Sequence, residues 1–226
     1  MKHQCYMCTN ETHSKEHVPA KGFFPEEERY RKNLITVRSC AEHNENTSKD
    51  DQYIRDVVVM SAFGSIIAEK QYINKTHPNL IQQPDYLKLF LVETLKVVLG
   101  GYTTTAFSID RDRFNRTVRK YAYGIYYYKF KKHWRRKLTV VTDKLFEKND
   151  TIMALNPDSN GIIIREIKRR FWPPPEGVLE GMNQDVFKYC FIPEDGSGDN
   201  TTLVMVFYDK FDVWVIAENN DCNPIL

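Results

Sequence analysis

The chain lacks any long hydrophobic run. Its densest apolar stretches, such as residues 57–60, fall far short of the ~20 residues needed to cross a bilayer, so no membrane span is expected. Residues 1–8 are polar and do not offer the basic start and apolar run of a signal peptide. Cysteine is scarce, five in 226 residues, and the count is odd. That argues against a disulfide framework and for reduced thiols, as in a cytoplasm. No repeat is visible, which excludes a solenoid or propeller. No low-complexity tract occurs. The net charge is only +2, so overall charge points to no class of partner.

What is present is unevenly distributed. Residues 1–55 balance nine cations against nine acids. Residues 110–137 carry eleven Lys and Arg against Asp110 and Asp112, a net +9, which leaves −7 for the remainder. A basic block on an acidic body is the pattern of a binding surface. Within it, the segment 126–137 interleaves Tyr126, Tyr127, Tyr128, Phe130 and Trp134 with Lys129, Lys131, Lys132, Arg135, Arg136 and Lys137. Cations neutralise phosphates and aromatic faces stack on bases, so these six cations are the candidate nucleic-acid contacts. The competing reading is a helix end whose tyrosines pack inward and whose charges face water.

Periodicity divides the chain at about residue 55. The first part is rich in Cys, His, Asn and charge, and poor in periodic apolar residues. Such a segment cannot fold by burial alone and needs a metal. From Asp56 onward, Val57, Val58, Met60, Ile66 and Ile67 predict a helix, as a continuation of the finger's last one. Residues 85–99 predict a second helix, closed by Gly100 and Gly101. Phe114, Val118, Tyr121, Ala122 and Ile125 predict a third. β-Branched runs at 138–142 and 161–167 predict strands, and 171–175 with three prolines predicts a rigid break. Residues 186–192, 203–208 and 213–217 predict a three-stranded meander, joined by the loop 194–201 and a tight turn at Asp209 and Lys210. The expected fold class is α+β: a metal-bound finger over 1–55, then a domain over 56–226 with helices first and an antiparallel sheet last. Cys190 and Cys222 read as buried thiols, and His3, His77 and His133 as surface residues.

Cys5-Tyr-Met-Cys8 and Cys40-Ala-Glu-His43 are two knuckles separated by 31 residues. Two ligands three positions apart grip one ion from a tight turn, and two such turns complete a closed tetrahedral zinc site. With all four positions filled, no water can bind, so this zinc is expected to be structural. Histidine stands fourth where cysteine is commoner.

Between and after the knuckles lie Glu16-His17-Val-Pro19, Asn33-Leu34, Asn44 directly after the second knuckle, and Ser48-Lys-Asp-Asp51. This arrangement resembles the HNH endonuclease family, in which a ββα-metal finger is built within a treble clef. The stretch 16–25 looks like the stand-alone bacterial subgroup. The resemblance covers residues 5–55 and implies a metal-dependent endonuclease hydrolysing DNA, an effector in bacterial defence or a mobile element. It places catalytic Mg²⁺ or Mn²⁺ at Glu16 and Asn44, both oxygen donors of the kind a hard ion needs. Ser48, four residues past Asn44 and on the same helical face, is a further candidate. Phosphodiester hydrolysis also needs a base for water, and His17 has the suitable chemistry. Asn33 completes the catalytic set as the residue whose amide orients the His17 loop. His13 lies close enough to count as a weaker candidate.

Two other functions compete. One is a zinc-finger module that grips nucleic acid without cutting; the presence of both Glu16 and His17 argues against it. The other is a subunit that docks a partner protein, or a second copy of itself, through residues 56–226.

Overall fold

The computed structural model describes residues 4–218 apart from 45–46, 63, 100–101, 150–153, 158, 172–177 and 194–198. The fold is mixed α+β, as expected, with a Cys/His cluster near the N-terminus. Among the described residues no helix is long and apolar enough to cross a membrane.

The finger opens with a short antiparallel ribbon, β1 (Ser14–His17) against β2 (Thr36–Ser39). Its pairs are Ser14 with Ser39, Lys15 with Arg38, Glu16 with Val37 and His17 with Thr36. Side chains alternate across a strand. Glu16 and Val37 are therefore buried on one face, while Lys15, Arg38 and Thr36 are exposed on the other. Between the strands lie a 3₁₀ turn at Lys21–Phe23 and α1 (Glu28–Arg31). Asn33 has a φ of 53°, a left-handed conformation that asparagine tolerates, just before β2.

α2 (Ala41–Asn44) carries the second knuckle, and α3 (Ser48–Ser61) follows. Tyr53, Ile54, Val57 and Val58 of α3 are buried at helical spacing. The boundary expected at residue 55 lies inside this helix. α4 (Ile66–Gln71), a π turn at Tyr72–Thr76, α5 (His77–Gln82) and α6 (Pro84–Leu91) continue the helical part. Asp56, fully buried, ties them together: its carboxylate accepts from Arg55, from Thr76 Oγ1 at 2.6 Å and from the Tyr86 hydroxyl at 2.9 Å.

The helix expected over 85–99 is only half correct. It stops at Leu91, and β3 (Thr94–Leu99) pairs with β4 (Tyr102–Phe107). From Thr94 the burial alternates with a period of two, and the partner run is rich in threonine. Gly100 and Gly101 lie outside the described residues.

α7 (Arg111–Phe130) matches the third expected helix. The Asp110 carboxylate caps it by accepting the Arg113 N–H at 2.9 Å, and Lys131 ends it in the left-handed conformation. Phe114, Val118, Tyr121, Ala122 and Ile125 are buried, as the spacing predicted.

The main sheet runs in the order β5 (Leu138–Val141), β10 (Phe211–Ala217), β9 (Thr202–Phe207), β8 (Phe187–Ile192), all antiparallel. The meander is as expected, with β5 added at one edge. Tyr208 and Asp209, both with positive φ, close the β9–β10 turn. Neither β6 (Phe146–Asn149) nor β7 (Ala154–Pro157) was expected; they pair as a separate ribbon. The strand expected at 161–167 is instead part of α8 (Ser159–Phe171). Ile164, Ile167 and Lys168 fall at i, i+3 and i+4 and turn toward the sheet, where Lys168 pairs with Asp143 and Asp212. That spacing outweighs the β-preference of the three isoleucines. The rigid break at 171–175 and the loop at 194–198 fall largely outside the described residues.

Both faces of the sheet are covered. On β9, Leu203, Met205 and Phe207 join the core shared with the finger, α3 and α7; Val204 and Val206 join the smaller core under α8. The larger core runs without a break from Cys5 and Tyr6 through Val57 and Phe114 to Trp134 and Phe211. Finger and sheet are also linked by the buried Tyr208 hydroxyl, which donates to the Phe23 carbonyl at 2.6 Å.

Candidate functional site

The four knuckle residues meet. Cys5, Cys8, Cys40 and His43 place their ligand atoms within 4.8 Å of one another, and the three thiols are buried. A tetrahedron with metal–sulfur bonds of about 2.3 Å has edges of about 3.8 Å. Cys8 and Cys40 Sγ are 3.8 Å apart, and His43 Nδ1 lies 3.2–3.6 Å from the three sulfurs. The donor set therefore fits one metal ion and is compatible with zinc. His43 and Cys5 already polarise one another. Burial opposes ionisation of Cys5, but the hydrogen bond from His43 and backbone N–H groups bring it down to about 6. The same contact raises His43 to about 9. A metal bound here would take the place of the imidazole proton.

The knuckle is anchored to the rest of the fold at a point the sequence did not reveal. His133, expected at the surface, is half-buried, and its Nε2 lies 2.8 Å from the Cys5 carbonyl. Next to it, Trp134 is buried, stacks on Tyr126 at 4.7 Å and donates to the Asp199 carbonyl. Tyr126 and Trp134 are thus core residues and do not offer free faces to bases. Three of the six candidate cations here face acids: Lys129 meets Glu180 at 2.6 Å, Lys137 meets Glu218 at 3.1 Å and Lys132 lies 3.9 Å from Asp199. Lys131 bonds the Tyr128 carbonyl, and Arg136 Nε is buried. Arg135 is exposed and has no ion pair among the described residues.

His17 closes β1, half-buried, with its buried Nδ1 free of any hydrogen-bond partner among the described residues. Burial lowers its pKa below the ordinary 6.5; the nearby Lys21 charge lowers it further, against the pull of the Ile35 carbonyl. Both effects favour the neutral imidazole. Asn33 is exposed at its turn, and no contact with His17 is seen.

Glu16 points the other way. Its carboxylate is buried, accepts from the Tyr6 hydroxyl at 3.0 Å and stands 2.7 Å from the Lys120 ammonium. That ammonium also donates to Asp51 Oδ1 at 2.7 Å and Thr47 Oγ1 at 2.9 Å. Tyr121 donates to the same Asp51 oxygen at 2.7 Å. Burial raises the Glu16 pKa; Lys120 pulls it back and the Asp51 charge adds to the rise. Asn44 donates to Ser14 Oγ at 2.7 Å, and Ser48 is exposed at the start of α3. The oxygens that converge are those of Glu16, Thr47 and Asp51, and a protein cation lies among them.

Thr47, Asp51 and Lys120 were missed as site residues. Thr47 and Asp51 are four apart, so a helix puts them on one face. Lys120 lies between the small buried residues Thr117 and Gly124 at i−3 and i+4, a lysine inside an apolar stripe.

No protein family, curated protein or solved structure matches this chain.

Proposed function

We propose that the chain is a metal-dependent nuclease of the HNH type, hydrolysing phosphodiester bonds of DNA, with its finger as a zinc-stapled treble clef. The observation that carries this reading is His17: a half-buried imidazole at the end of a ribbon held by the knuckles, whose pKa burial and the Lys21 charge lower. A lowered pKa favours the neutral imidazole, the form that a base for water requires. The four-ligand zinc would hold the ribbon and α2 together and take no part in chemistry.

A hard divalent ion, when bound, would supply a Lewis acid for the leaving oxygen. Glu16, Asp51 and Thr47 do not fit such an ion acting beside His17: their oxygens surround the Lys120 ammonium, on the opposite side of β1 from the His17 side chain. His17 would take the proton from water.

A second reading is favoured by that same lysine. With Lys120 resident among the oxygens, the finger would be a nucleic-acid-binding module that does not cut. Plasmid incubated with zinc-loaded protein and Mg²⁺ or Mn²⁺ separates the two. Nicking or linearisation supports the nuclease, and intact plasmid with retained DNA binding supports the module.

A further inference from the structure

The exposed face of the β1–β2 ribbon carries an arrangement that the fold does not explain. Lys15 and Arg38 are directly opposed across the ribbon, and both are exposed. Directly opposed residues hold their Cβ atoms about 4.5–5.5 Å apart, and like charges so placed destabilise a ribbon. Neither residue makes an ion pair with any described residue, and neither does the exposed Lys21 that follows β1. Arg135 is also exposed without an ion pair among the described residues, but it has no like charge directly opposed to it, and several other cations are paired. Arg113 and Arg116 share Asp50, Lys129 has Glu180 and Lys137 has Glu218. The next pair along the same ribbon face is His17 with Thr36. The face is therefore polar and cationic throughout, with no aromatic or aliphatic side chain on it.

We propose that Lys15 and Arg38, with Lys21 beside them, form the strip on which this protein holds the phosphate backbone of nucleic acid. This rests on the nuclease reading and names the residues that would bring a phosphodiester alongside His17. An anion lying between Lys15 and Arg38 turns a repulsive pair into a two-pronged clamp. The exposed face suits this partner, because cations on an open surface neutralise phosphates without reading bases. The chemistry is wrong for the alternatives. A protein interface centres on buried aromatic or aliphatic anchors, and a membrane surface needs an apolar face to insert; this strip has neither.

The test is fluorescence anisotropy of a labelled duplex with the full, zinc-loaded chain, without Mg²⁺ so that nothing is cut, across a series of salt concentrations. Each phosphate contact contributes about 0.9 to the slope of log affinity against log salt. The Lys15→Ala/Arg38→Ala variant is expected to lower that slope by about 2 and to weaken binding roughly equally for all sequences. A Lys88→Ala/Arg169→Ala variant removes the same charge from cations paired with Asp85 and Glu166, far along the chain, and is expected to leave the slope unchanged. Zinc content and circular dichroism of both variants should equal those of the parent. If the parent binds and Lys15→Ala/Arg38→Ala binds with the same slope, the strip is wrong and the nuclease reading survives. If the parent binds no nucleic acid, both are wrong. If anionic vesicles are bound as tightly as the duplex and lose affinity in the same variant, the assignment to nucleic acid is overturned.

Discussion

The ammonium of Lys120 and the carboxylate of Glu16 form a pair 2.7 Å apart, with both side chains about 95% buried. Asp51 shares the same ammonium. One cation thus serves two carboxylates drawn from β1 and α3, and it comes from α7. Removing one partner of a buried ion pair leaves an uncompensated charge and costs about 3–5 kcal/mol. Lys120→Met keeps the chain length and removes the charge, so its melting temperature should fall sharply. If these oxygens also suit a hard ion, millimolar Mn²⁺ should restore part of the loss in this variant and raise the parent less. A Lys120→Met protein as stable as the parent would argue against a stabilising ion pair, and one that Mn²⁺ does not help would show that these oxygens take no hard ion.

α7 approaches the ribbon end very closely at Gly124. A Cβ added there would lie 2.7 Å from Val18 Cγ1 and 3.1 Å from Cγ2. Gly124→Ala is favourable for helix propensity, yet overpacking of this kind typically costs about 1–3 kcal/mol. The substitution should destabilise, and Val18→Ala in the same chain should recover much of the loss. Chemical denaturation of the two single variants and the double variant gives the coupling. Additive effects would mean that the two residues do not touch.

The zinc account predicts about one tightly held zinc per chain by elemental analysis. Cys5→Ser should unfold more than the finger, because Cys5 and Tyr6 belong to the core that reaches the sheet and His133 holds the Cys5 carbonyl. Loss of the sheet's near-ultraviolet signal together with the zinc is expected. Zinc-free protein with an intact melting transition would contradict it.

The pH dependence of cleavage follows from His17. Its pKa is lowered, and the base works only when unprotonated. The rate should therefore fall with acid, along a limb that lies at lower pH than an ordinary imidazole would give. Lys21→Ala removes a charge that opposes protonation, so the acidic limb should move to higher pH. A limb that stays in place or moves down would mean that another group is being titrated.

The parts legible in the sequence were those fixed by local pattern. The knuckles follow from C-x2-C and C-x2-H spacing, α7 from its apolar period, and β8 to β10 from apolar runs long enough to be buried on both sides. The parts that were not legible depend on partners far along the chain. Residues 94–99 became a strand because 102–107 was available to pair with them. The isoleucine run at 162–164 became helix because Ile164, Ile167 and Lys168 find the sheet at helical spacing. At the site, the sequence proposed Asn44 and Ser48 by their place after the knuckle. The fold turned Asn44 to Ser14 and brought Thr47, Asp51 and Lys120 to Glu16. A lysine 69 residues from Asp51, and farther still from Glu16, cannot be assigned to either carboxylate by spacing.

The most direct measurement is cleavage of supercoiled plasmid by zinc-loaded parent and His17→Ala protein in Mg²⁺. The account predicts that the parent cuts and that His17→Ala is slower by about 10²–10⁴, with zinc content and DNA affinity unchanged, because a base acts in the transition state. A His17→Ala protein that cuts at the parent's rate, or a parent that binds DNA and never cuts it, would contradict the nuclease.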